Sequence, residues 1–208
     1  WSSDVCSSDL FLAINANGIA DEDLTRQGWI EIWNPSLTAV FSLTGYKLSI
    51  TPPSPGVATI WTIPTIQIMP DERILIWASG KNRTVVTAPL HASFTLPAAA
   101  GSTLSLLNSG NTAVSTISNY PEQTADVSWG RDDSDIAIAP SLVGFYTKPT
   151  PGEKNNRYTG AGVAGGVLFS ETSRAFNTSA TDTLVNLSLA QAVPDPAAQI
   201  LYTTGFSN

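Results

Sequence analysis

One imidazole, two runs of carboxylates and six indoles are the side chains of this sequence whose types and spacing suit chemistry. His91 is the sole histidine. Mechanisms needing two imidazoles are excluded, and a serine-triad reaction would have to run through this residue, with a nucleophile and an orienting carboxylate beside it. No Gly-x-Ser-x-Gly elbow is present to supply the nucleophile, so the plainer expectation is a structural histidine bonding a loop backbone. Asp21, Glu22 and Asp23, joined at most by Glu31, form the densest carboxylate cluster. They suit Ca²⁺, a hard cation that takes several oxygen ligands. Their spacing fits no defined calcium loop, and a solvated acidic loop is the simpler reading. Asp132-Asp133-Ser134-Asp135 is a second acidic run, expected on the surface after a Gly-Arg turn. Gly80-Lys81 ends a predicted strand with nothing like a phosphate loop before it, and reads as a turn. Of the tryptophans, Trp29, Trp33, Trp61, Trp77 and Trp129 fall on predicted strands, which favours core packing over a sugar-stacking platform. Asn82, Asn177 and Asn186 open glycosylation-acceptor triplets, a weak signal by itself.

The elements that must position these groups are strands. No segment sustains the i, i+3, i+4, i+7 apolar period, and Gly, Pro, Ser and Thr interrupt nearly every window. Trp29 to Trp33 is rich in β-formers and stops at the turn pair Asn34-Pro35. Tyr46, Leu48 and Ile50 alternate with Lys47 and Ser49, the pattern of a half-buried strand. Residues 60–63 and 73–78 make two more runs. Leu104 and Leu106, the turn Asn108-Ser109-Gly110-Asn111 and residues 112–118 read as a hairpin. Ala125, Val127 and Trp129 keep the period of two, and Phe145-Tyr146 closes the set. Short strands at this spacing predict an all-β fold, an immunoglobulin-like β-sandwich. After Thr147 the composition turns to Pro and Gly, and residues 148–162 read as a linker. Three further strands are expected, at residues 167–169, 183–189 and 200–203.

Composition narrows the function classes. Ten Lys and Arg against 17 Asp and Glu give a net charge of −7 in 208 residues, and the basic residues are scattered. Nucleic-acid binding needs them clustered, so it is not expected. No apolar run approaches the roughly 20 residues of a membrane-spanning helix. Cys6 is the only cysteine, so neither an internal disulfide nor a Cys/His zinc site is available. Ser and Thr number 46, fitting the polar faces of many short strands.

Residues 11–156 resemble the bacterial type of lamin tail domain, an immunoglobulin-like module. Phe11 to Asn15 and Asp21-Glu22-Asp23 look like its opening strand and acidic loop. Trp29-Ile30-Glu31-Ile32-Trp33-Asn34-Pro35 resembles its WIELYNP strand, and Leu43 to Ser49 its LSGWTLS strand. Trp61 to Pro64, Leu75 to Asn82, Leu90 to Leu96, Tyr120 to Arg131 and Pro149 to Gly152 resemble, in order, its WTFP, LVVWASGKD, LHTNFKL, YPPQTADVSYGR and PTPG segments. Gly28 departs from the Asp common among relatives, and Ile50-Thr51-Pro52 replaces an acidic turn, which weakens any shared metal site. The tail from Val167 to Thr204 is similar to the start of a chitobiase C-terminal-like (Fn3-associated) β-module. Residues 1–10 resemble a translated sequencing adapter and are expected not to belong to the fold.

The expected organisation is residues 1–10 artefact, 11–147 lamin-tail-like domain, 148–162 linker and 163–208 an incomplete β-module. The resemblance implies a non-catalytic module of a larger extracellular or cell-surface bacterial protein. It would serve adhesion, spacing or recognition of a protein or surface polymer, with no catalytic residue and no cofactor. The alternative is a carbohydrate- or Ca²⁺-binding accessory module, with Asp21, Glu22 and Asp23 as the candidate ligands.

Overall fold

A computed structural model of the chain describes residues 7–131, 143–155, 167–169 and 189–191. Every regular element among them is a strand, in chain order β1 (Ser7–Leu12), β2 (Gly28–Trp33), β3 (Phe41–Ser42), β4 (Lys47–Thr51), β5 (Thr59–Thr62), β6 (Gln67–Ile68), β7 (Arg73–Ala78), β8 (Leu90–His91), β9 (Ser102–Leu107), β10 (Ala113–Tyr120), β11 (Ser128–Arg131), β12 (Val143–Tyr146), β13 (Val167–Phe169) and β14 (Leu189–Gln191). No helix among the described residues is long and apolar enough to cross a membrane. The chain divides into two compact units, Trp1–Ala161 and Gly162–Asn208. In the second, β13 and β14 pair antiparallel, Val167 opposite Gln191. The strand expected at 200–203, and 183–188 of the one before it, lie outside the described residues.

The first unit is a β-sandwich. One sheet has six strands in the order β12-β11-β1-β2-β7-β8, the other four in the order β10-β9-β4-β5, and β3 and β6 form a small ribbon. All pairings are antiparallel except β7 with β8. Strand alternation explains the core between the layers. Phe11, Ile30, Ile32, Ile76 and Ala78 point inward from the large sheet and meet Leu48, Ile50, Trp61, Leu104 and Leu106 from the small one in a single buried cluster. Phe11 packs on Tyr120 at 4.8 Å, and Trp129 meets Phe145 edge-on at 4.6 Å. Burial pushes the Tyr120 hydroxyl up to about 12, and it donates to Pro97 O at 2.8 Å.

The intervening residues of the large sheet are also buried. Leu10, Leu12, Trp29, Trp77 and Tyr146 form a second apolar cluster there. Glu31 sits on the same face, fully buried, with Arg73 Nε at 3.8 Å and the Gly152 N–H donating at 2.5 Å. The chain after β12 therefore returns onto this face. Asn155 is buried and donates to Arg131 O at 3.3 Å, so residues 149–155 pack on the first unit although the composition reads as linker. At the other end β1 begins at Ser7, opposite Trp33, and Leu10 is completely buried, so the ladder runs into the stretch resembling an adapter.

Asn34, fully buried, ties the end of β2 to the ribbon: its amide donates to Ala39, Ile68 and Met69 carbonyls at 2.9–3.0 Å, while its oxygen accepts from Ser36 N. Gly28 begins β2 because a Cβ there would lie 2.9 Å from Leu12 O and 3.0 Å from Ala13 O, backbone atoms that cannot yield.

Candidate functional site

The polar constellation of the molecule gathers where the loop before β2 meets the segment after β7. In that loop Asp21 Oδ1 accepts from Asp23 N, Thr25 N and Thr25 Oγ1 at 2.8–3.1 Å, an Asx-type turn that folds the carboxylates to one side. Its second oxygen also takes the Thr25 hydroxyl, at 2.8 Å, and lies against Lys81 Nζ. After β7 the chain turns through Gly80, at φ +75°, and Asn82, at φ 53°. This geometry sends Lys81 and Arg83 toward the acidic loop and leaves Asn82 Oδ1 to accept from Trp61 Nε1 at 2.9 Å.

Five charges interlock there. Lys81 pairs with Asp21 and, at 2.7 Å, with Asp23. Arg83 pairs with Glu22 through Nη1 and with Asp23 through Nη2 at 2.6 Å. Burial raises the Asp21 carboxyl, yet the Lys81 ammonium and the Thr25 donors outweigh it and hold the group well below the usual range. Glu22 is lowered chiefly by its hydrogen bond to His91, and Asp23 chiefly by Arg83. The cations shift the other way: Lys81 is raised mainly by Asp21, and Arg83 mainly by Asp23.

His91, at the end of β8, is fully buried and stacked on Trp77, with 6.3 Å between ring centroids. Its Nε2 lies 3.0 Å from both Glu22 oxygens and its Nδ1 2.8 Å from Ser79 Oγ. An ionised Glu22 accepts only, which places a proton on Nε2, while Nδ1 and the Ser79 hydroxyl share the other bond. The histidine is structural in its burial, but its ring bonds two side chains, where a loop backbone was the expectation. Its own backbone exchanges bonds with Arg83 in an isolated bridge.

Ser79, His91 and Glu22 thus have the connectivity of a nucleophile, base and orienting acid. Acyl transfer also needs N–H groups free to receive an oxyanion. Those following Ser79 are committed: Gly80 N to Phe94 O, Lys81 N to Ser79 Oγ, Asn82 N to Ala92 O and Arg83 N to His91 O. Asp21, Glu22 and His91 offer ligand atoms within 4.8 Å of one another, a spacing a metal ion could span. A divalent cation would have to displace Lys81 from Asp21 and compete with Arg83 for Glu22.

Of the carboxylates named from sequence, Asp21, Glu22 and Asp23 come together, and Glu31 lies apart on the large sheet with Arg73 and Gly152. Asp132 to Asp135 lie outside the described residues, as do Asn177 and Asn186. Ser79, Lys81 and Arg83 were not singled out as partners, because nothing local marks them: Lys81 reaches an aspartate 60 positions away. The one available signal is charge complementarity between Lys81/Arg83 and the 21–23 run.

All five tryptophans among the described residues are buried: Trp29 at 1% exposure, Trp33 at 6%, Trp61 at 4%, Trp77 at 5% and Trp129 at 8%. A half-open cavity of about 270 Å³ lies between Leu12, Asn17, Trp29, Asp126, Pro149 and Pro151, with Trp29 only 1% exposed. Asp126 is engaged by Ala16 N and Asn17 N at 2.8 Å and by Asn17 Nδ2 at 2.7 Å. No protein-family model matches the chain, and no curated protein matches it.

Proposed function

We propose that this chain is a non-catalytic β-sandwich module of the lamin-tail-like, immunoglobulin-like kind, carried by a larger secreted or surface bacterial protein and serving adhesion, spacing or partner recognition. The observation that carries the reading is that its reactive-looking groups are spent on one another. Lys81, Arg83 and His91 engage Asp21, Glu22 and Asp23 and clamp the loop before β2 to the segment after β7. The N–H groups that follow Ser79 are committed elsewhere, and no indole among the described residues is exposed for sugar stacking. A module whose polar constellation is satisfied internally is suited to holding a shape.

The test is thermal melting and tryptophan emission of the full chain with Ca²⁺, with chelator and with soluble polysaccharides, alongside turnover of an activated ester. The expected result is an unchanged transition, unchanged emission and no turnover. A transition raised several degrees by Ca²⁺ and lowered by chelator would move the assignment to a cation-binding module. Ester turnover abolished in Ser79→Ala would move it to an enzyme.

A further inference from the structure

The sandwich handles its sheet edges unequally. On the small sheet, β10 is an edge strand with two register shifts, and Arg131 Nη2 donates to its Thr116 carbonyl at 3.0 Å. On the large sheet, β8 is two residues long and bridged by Arg83. Bulges, capping side chains and shortness are the usual means of stopping edge pairing. β5, four residues long, shows neither a bulge nor a capping side chain among the described residues. It pairs with β4 in unbroken register, from Lys47 opposite Thr62 to Ile50 opposite Thr59, and among the described residues it has no second neighbour.

The direction of its backbone groups follows from one bond. Ile63 N donates to Tyr46 O, and in an antiparallel ladder such bonded pairs recur at every second residue. Trp61 and Thr59 therefore turn their amides to β4, while Ile60 and Thr62 turn theirs outward. Thr59, Ile60 and Thr62 are exposed, with Ile60 at 51% and neighbouring Val57 at 82%. From Leu48 through Pro70 there is not one charged residue, in a chain of net charge −7.

We infer that β5 is a self-association edge, on which a second copy of this chain pairs antiparallel about a two-fold axis through Trp61. In that register Ile60 of each copy faces Thr62 of the other, and the two outward residues of each strand exchange four hydrogen bonds. A second copy is the occupant the charge distribution favours. Two acidic chains repel at most approaches, but here an uncharged edge meets itself, and a two-fold interface requires a self-complementary patch. A four-residue edge buries little area, which places the dimer in the weak, transient class.

Sedimentation equilibrium of the full chain from about 10 µM to about 1 mM tests this, with the upper range suited to a weak interface. The expected result is a mass rising toward the dimer, little changed by added salt because β5 itself carries no charge, and Ile60 and Thr62 amides that gain exchange protection with concentration. Ile60→Lys, at an exposed position, folds normally by circular dichroism and weakens the association at least tenfold. Val85→Lys, at an exposed position in the loop between β7 and β8, leaves it unchanged. A chain that stays monomeric throughout overturns the proposal, as does a dimer that Ile60→Lys and Val85→Lys affect alike. Protection of the two amides only by an added extended peptide also overturns it, and makes β5 a peptide-docking edge.

Discussion

At Asp21 the penalty for burying a charge is offset by the donors of Thr25 and Lys81, and that balance governs how the protein responds to acid. The carboxyls of Asp21, Glu22, Asp23 and Asp126 all titrate lower in the folded chain than their unfolded values near 4. Their contribution is full above that range and is lost as pH falls through the folded values. The urea midpoint is therefore expected to be flat from about pH 7 to 5 and to fall steeply below about pH 4. Asp21→Asn should flatten that acid limb and lower the midpoint at neutral pH. His91 makes a second residue-scale prediction. It is fully buried between Ser79, Glu22 and Trp77. His91→Ala leaves a cavity where the ring was and leaves Glu22 to Arg83 alone, for a cost of about 2–4 kcal/mol, whereas Ser79→Ala removes its bonds with the His91 ring and Lys81 N, about 1–2 kcal/mol. Urea denaturation of both variants measures the difference, and equal losses would contradict the buried-clamp role.

Among elements, β1, β2 and β7 set the limits because both of their faces are covered. Ile76 faces the core and its neighbour Trp77 faces the outer cluster, each nearly or wholly buried. Ile76→Ala is expected to cost about 2–5 kcal/mol, or roughly 2–4 °C of melting temperature per kcal/mol for a domain of this size. Two glycines separate space from conformation. Gly28→Ala drives a methyl against the β1 carbonyls and should cost about 1–3 kcal/mol, with amide shifts along β1. Gly80→Ala has open space but a left-handed backbone, so its cost of about 1–2 kcal/mol should leave β1 shifts untouched. The nuclear magnetic resonance spectra of the two variants distinguish the mechanisms. The strands themselves were legible wherever alternation was long enough: β2, β4, β7, β9 and β10 fall where their residues predict them. The two-residue strands β3, β6 and β8 were not, since a pair of residues carries no period.

For the whole first unit, every described tryptophan contributes to the core. Its emission is accordingly expected to be blue-shifted and weakly quenched by acrylamide until the cooperative transition; early quenching would show an indole the sandwich does not cover. The sequence by itself determined the class of structure. Period-two alternation, β-branched and aromatic residues and punctuating Gly and Pro admit strands and no helices, and a chain with one cysteine must hold a sandwich by packing. It also located the Asp21-Glu22-Asp23 run. Only the tertiary structure decided what that run does, because Lys81, Arg83 and His91 arrive from 58 to 69 positions away. It likewise decided that residues 149–155 pack on the outer face of the large sheet and that β5 has no second neighbour among the described residues. Both are matters of which strand becomes whose neighbour. Alternation records which face of a strand is buried, but carries no information on the partner that buries it.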